Sequence, residues 1–228
     1  MPVTIQPAVK TDARVRSDVL SEVAWDPFVR DVPVNVAVAQ GVVTLTGQAQ
    51  SMAKHLAIVE AVHRVQGVLD VVDEMTIAPA ASAMKGDDDI AHAVREALQW
   101  DAFLPDERIA TTVSGGTVTL RGSVPTWSNR LDAERCVQRL TGVRSVVNRI
   151  TVQPPAADQE AIKLQIERAL ERRAEREARR ITVGVRDGTV TLSGSVHSWA
   201  DRGAVERLVG NSPGVHTVDD RLVVDPYA

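Results

Sequence analysis

The chain has 228 residues, 44% hydrophobic and 25% charged, with a net charge of −4. That is ordinary globular composition, and its slight acidity gives no overall pull toward nucleic acid. The single cysteine, Cys136, leaves no internal disulfide, and no apolar run is long enough for a signal-peptide core or a membrane span, so the expected compartment is the cytoplasm.

Taken from the N-terminus, Val15, Val19 and Val23 fall at i, i+4 and i+8 and predict a first helix, which runs into WDPFV at 25–29. Two alternating runs follow, Val34, Val36 and Val38, then Val43 and Leu45. The short turn AQG between them predicts a hairpin. Ile58, Ala61, Val62 and Val65 have the spacing of a second helix, N-capped near Ser51 and stopping near Gly67. VLDVVDEMTI (68–77) reads as a third strand.

The series then returns twice. Ile90, Val94 and Leu98 precede WDAFL (100–104), a hairpin with turn SGG, a helix with Ala133, Cys136, Val137 and Leu140, and the strand VRSVVNRITV. Ile162, Ile166 and Leu170 precede a hairpin with turn RDG, a helix with Val205, Leu208, Val209 and Ser212, and VHTVDDRLVV. GVVTLTG (41–47) recurs as GTVTLRG (116–122) and GTVTLSG (188–194), at offsets of 75 and 72. The expected organisation is three modules, 11–79, 89–154 and 160–226, with linkers at 80–88 and 155–159.

Each module reads αββαβ, an α+β class. A helix between the second and third strands makes them parallel, beside an antiparallel hairpin. The expected product is a small mixed three-stranded sheet with both helices on one face. Asn35, Ala37, Thr44 and Thr46, or Thr182, Gly184, Thr191 and Ser193, would then line a solvated opposite face.

A module with G-x-V-T-L-x-G, then a helix, then G-V-x-x-V-x-[DN]-x-[MIL]-x-[IV] resembles the BON domain, named for bacterial osmotically inducible and nodulation proteins. The matching segments are Val43 to Gly47, Val118 to Gly122 and Val190 to Gly194, followed by Gly67 to Ile77, Gly142 to Val152 and Gly214 to Val224. The resemblance implies a non-enzymatic binding module associated with osmotic and envelope stress, in contact with phospholipid surfaces or other envelope components. Its well-known members are exported, whereas this sequence shows no signal peptide.

Gly47, Gly122 and Gly194 are expected to end a strand, and Gly67, Gly142 and Gly214 a helix, where positive φ favours glycine. Asp73, Asn148 and Asp220 share one position of the third strand, and a polar group there bonds nearby backbone or marks a bulge. The five histidines fall at unrelated repeat positions, and Asp87, Asp88 and Asp89 lack the spacing of a calcium loop. Cys136 lies on an apolar stripe. No enzyme activity, metal or cofactor is expected.

Two features remain as candidate contacts. Trp25, Phe28, Trp100 and Phe103 are four of seven aromatic residues, and the third copy replaces them with Arg172 and Glu175, so the fold does not require them. Either they clamp their loop, with Pro27 or Pro105, onto the end of the sheet, or they form an aromatic tip that enters a membrane interface or a partner groove. In the third copy Arg172, Arg173, Arg176, Arg179 and Arg180 fall within a helical arc of roughly 120°. That arc is either a solvated charged face or a contact for an anionic surface. The modules carry net charges of −5 (17–79), +1 (89–154) and 0 (160–226), so an anionic phospholipid surface would engage the later copies first. A protein partner docked on the Trp/Phe tips is the alternative. Nucleic acid is not expected, because the arginines have no interleaved aromatics.

Overall fold

A computed structural model of the chain describes residues 10–78, 85–101, 104, 108–153, 158–173 and 181–226, with backbone alone at 171–173. The expected αββαβ unit is present three times. The first comprises α1 (Asp12–Trp25), β1 (Val34–Ala39), β2 (Val42–Ala49), α2 (Met52–His63) and β3 (Asp70–Ile77). The second comprises α3 (Asp87–Trp100), β4 (Ile109–Ser114), β5 (Thr117–Val124), α4 (Trp127–Gln138) and β6 (Ser145–Val152). The third comprises α5 (Gln159–Arg173), β7 (Ile181–Arg186), β8 (Thr189–Val196), α6 (Trp199–Gly210) and β9 (Thr217–Val224).

In each sheet the second strand is central, antiparallel to the first and parallel to the third. The helix stripes read from the sequence are the buried ones, apart from Cys136, Leu140 and Leu208, which are half-buried. Val15, Val19 and Val23 of α1 meet Ile58, Ala61 and Val62 of α2 over Val36, Val43 and Leu45. Corresponding clusters form around Leu120 and Leu192, so each module has its own core with both helices on one sheet face. Ser51, Thr126 and Ser198 cap their helices by accepting from the backbone N–H three residues on, each at 3.1 Å.

Acidic side chains fasten the first helix to the hairpin. Asp12 accepts from the N–H groups of Gln40 and Gly41, and Asp87 from those of Gly115 and Gly116, at 2.8–2.9 Å. Those two amides hold the Asp87 carboxyl below the usual carboxylate range. In the third copy Gln159 stands at this place and donates to Asp187 at 3.3 Å.

The glycine expectation needs one correction. Gly47 does not end its strand; β2 continues through it to Ala49. At φ 143° its Cα lies against Val34, and a Cβ would come within 2.6 Å of the Pro33 carbonyl, so the requirement is close backbone approach at the entry of β1. Gly122 meets the Arg108 carbonyl in the same way. Gly67, Gly142 and Gly214, all at positive φ, lie a few residues beyond the helix rather than at its last turn.

Candidate functional site

The stretches WDPFV and WDAFL divide their residues between core and solvent. Trp25 and Trp100 are the last residues of α1 and α3. Two residues past Val23 and Leu98, at about 100° each, they point away from the buried stripe, and they are 85% and 86% exposed. The clamp on the loop is instead the final aliphatic residue. Val29 and Leu104, at equivalent repeat positions, are buried in their module cores. Val29 is placed by a tight turn in which the Val29 and Arg30 N–H groups donate to the Asp26 carbonyl and the Phe28 N–H to its carboxylate.

Phe28, 52% exposed, does not join Trp25 in one tip. Trp25 borders an open concavity with Lys10, Asp18, Ser21, Glu22, Val65 and Gln66. There Lys10 donates to Asp18 at 2.8 Å and holds that carboxyl below its ordinary range. Phe28 borders a different groove, of about 270 Å³, with Ala53, Leu56, Ala57, Glu60 and Arg139. Phe103, Arg176, Arg179 and Arg180 lie outside the described residues, as do the side chains of Arg172 and Arg173.

Two other tryptophans make contacts that helix periodicity does not single out. Trp127 and Trp199 are the first residues of α4 and α6, directly after the capping hydroxyl residues, and Met52 holds this place in α2. At the start of a second helix a side chain leans outward beyond its own module. Trp199 reaches the first module, where its indole stacks on His63 with centroids 4.0 Å apart and planes at 14°. Its Nε1 donates to the Val68 carbonyl at 3.3 Å. Trp127 packs against the core of the third module. A Cβ at Gly210 would lie 3.0 Å from its Cδ1 and 2.9 Å from Ser128 Oγ, so the absence of a side chain at Gly210 lets this helix start approach.

His63 and Gly210 are both the last residue of their helix, so the two contacts repeat one geometry. A third contact has the same sense, with the α2 residues Ala53 to Glu60 facing Arg139 just past the end of α4, and Glu60 3.5 Å from its guanidinium. The joints run from module two to three, three to one and one to two, and such head-to-tail contacts close a ring. The shared repeat offset of Met52, Trp127 and Trp199 was the signal available in the sequence.

A guanidinium covers each joint tryptophan. Arg130 lies 4.9 Å from the Trp127 ring centroid and donates to the Asn148 and Ile150 carbonyls. Arg202 lies 5.0 Å from that of Trp199 and donates to Asp220 at 2.7 Å. The equivalent pair in the first module is His55 and Asp73, 2.6 Å apart. Asp73, Asn148 and Asp220 also each accept from the N–H two residues on, which gives the shared polar strand position its structural role. Burial pushes the His63 imidazole below its usual pKa, and the Arg202 charge adds to this, against the opposing pull of Asp70 and Glu60.

Among the described residues no group of three or more His, Cys, Asp or Glu side chains is placed to hold a metal, and no helix is long and apolar enough to cross a membrane. Burial raises the Cys136 thiol, with the Asp101 charge second, the opposite of what activates a nucleophile.

Comparison with known proteins bears on the modules. Osmotically-inducible protein Y of Escherichia coli (strain K12) is 25% identical over 141 residues, which cover 60% of this chain and 70% of that one. Among solved structures, CdsD, a structural protein of the type III secretion system of Chlamydia trachomatis, shares 14% identity with a TM-score of 0.25, covering 92% of this chain and 91% of its own. The PrgH periplasmic domain shares 12% with a TM-score of 0.21, covering 92% and 99%. At those scores the two structures inform neither fold nor function. The BON domain matches residues 11–79, 86–154 and 158–226, one match on each αββαβ unit. On that threefold correspondence, the chain belongs to the BON domain family.

Proposed function

We propose that the chain is a non-catalytic, stress-associated binding protein that makes weak peripheral contact with anionic phospholipid surfaces. The observation that carries this reading is the exposure of Trp25 and Trp100 at the ends of α1 and α3, outside any core. An indole has a large apolar body and one polar N–H, which suits the boundary between headgroups and acyl chains. The relative named for osmotic induction and the family's phospholipid association support the same reading. Arg172, Arg173, Arg176, Arg179 and Arg180 supply the electrostatic part in the third module, and the net charge of −5 over residues 17–79 disfavours approach by the first.

Co-sedimentation with vesicles tests it. The intact chain pellets with anionic but not neutral phospholipid, and added salt releases it. Trp100→Ala weakens the partitioning about tenfold, equivalent to about 1.4 kcal/mol of lost apolar burial, and Trp25→Ala, in the repelled first module, weakens it less. Absence of pelleting in every condition rejects the lipid reading and leaves a protein partner as the occupant of the tips.

A further inference from the structure

We infer that the groove at the joint between modules one and two is a docking site for a single exposed tryptophan side chain of a partner polypeptide. The two occupied joints of the ring show what such a space holds. At the other two joints an indole from the first turn of a second helix fills the space between modules, covered by a guanidinium at 4.9 or 5.0 Å. At this joint the corresponding residue is Met52, and beside it the interface stays open as a groove of about 270 Å³.

The groove offers groups of the kinds an indole needs, drawn from other repeat positions than those around Trp127 and Trp199, where His55 is the first-module counterpart of the covering arginine. Phe28, Ala53, Leu56 and Ala57 form an apolar floor, and Arg139 supplies a guanidinium at one end. Glu60, 3.5 Å from Arg139, supplies an acceptor for an indole N–H, the role the Val68 carbonyl plays for Trp199. The volume falls below the roughly 300–1,000 Å³ usual for small-molecule sites, which favours one side chain over a larger ligand. Phe28 adds an aromatic face at which ring stacking outranks aliphatic contact. The site is continuous with the interface between modules, so an occupant also bridges modules one and two.

The test titrates the intact, isotope-labelled chain with N-acetyltryptophanamide and follows methyl resonances, with N-acetylleucinamide as control. The expected result is saturable shifts of Ala53, Leu56 and Ala57 with the tryptophan probe alone. Binding weakens about two- to fivefold in Arg139→Ala, the loss expected for an exposed cation–π contact. Ala53→Leu, a helix-compatible change that fills the groove, abolishes the shifts while the core resonances of Val15, Val62 and Leu45 hold their positions. Equal shifts with the leucine probe, or none up to the solubility limit, overturn the inference. Protection of the groove that grows with protein concentration and disappears in the Trp25→Ala, Trp100→Ala double variant would assign it to a second copy and overturn the partner commitment.

Discussion

The four tryptophans form two pairs with opposite fates. Trp25 and Trp100 end a first helix and face solvent, whereas Trp127 and Trp199 begin a second helix and are packed between modules. Residue type and local structure are alike in the two pairs, since each residue occupies a terminal turn. The difference lies in what stands beyond that turn. Past α1 the chain bends back and Val29 closes the core, and past α3 Leu104 does so, leaving each indole outside. Ahead of α4 and α6 stands the last turn of another module's helix, so the indole becomes a bridge.

Truncation should separate the pairs most sharply. Trp199→Ala removes the His63 stack and the bond to Val68 and is expected to cost about 2 kcal/mol, below the range for a fully buried tryptophan because the indole is only partly buried. It should also expand the chain in solution scattering as the joint between modules three and one opens. Trp25→Ala should stay within about 0.5 kcal/mol, as for a surface site, in the same denaturation experiment. Equal costs would break the comparison.

A finer division lies within the pair packed between modules. Trp199 Nε1 has a partner, whereas Trp127 Nε1 is buried without one. Trp199→Phe is therefore expected to cost about 1 kcal/mol more than Trp127→Phe, because it leaves the Val68 carbonyl unpaired while the other change relieves an unsatisfied donor. Chemical denaturation of both variants reads this difference.

The smallest effect is a pH dependence at the same joint. The folded state lowers the His63 pKa, so the stabilising contribution is complete above the unfolded value of about 6.5. It declines as pH falls from there toward the folded value, because the unfolded chain takes up a proton that the folded chain resists. Below the folded value no further loss follows. His63→Phe, which keeps a ring against Trp199, should flatten that segment of a plot of melting temperature against pH. An unchanged slope would mean that the imidazole does not sense the joint.

Much of the module was legible from residues alone. The stripes Val15, Val19, Val23 and Ile58, Ala61, Val62 are buried as their spacing required, and Ser51, Thr126 and Ser198 cap as expected. The attachment of α1 to its hairpin by Asp12, and of α3 by Asp87, was not legible, because a carboxylate in the first turn of a helix reads equally as a charge on its dipole. The role of WDPFV was half legible. Its placement at a helix end followed from the periodicity, but the choice of Val29 over Phe28 as the buried anchor depended on the turn at Asp26.

The sequence by itself determined three αββαβ modules, their strand pairing and their separate cores, because periodicity, turn residues and caps act within a few residues of one another and recur with the repeat. The tertiary structure alone decided the ring, the packing of Trp127 and Trp199 between modules, and the open groove at Ala53. These depend on how whole modules are rotated against one another, through contacts such as Trp199 with Val68 that lie 131 residues apart. No local pattern carries that rotation. A side chain that leans out of its own module has its environment set by whichever module arrives there.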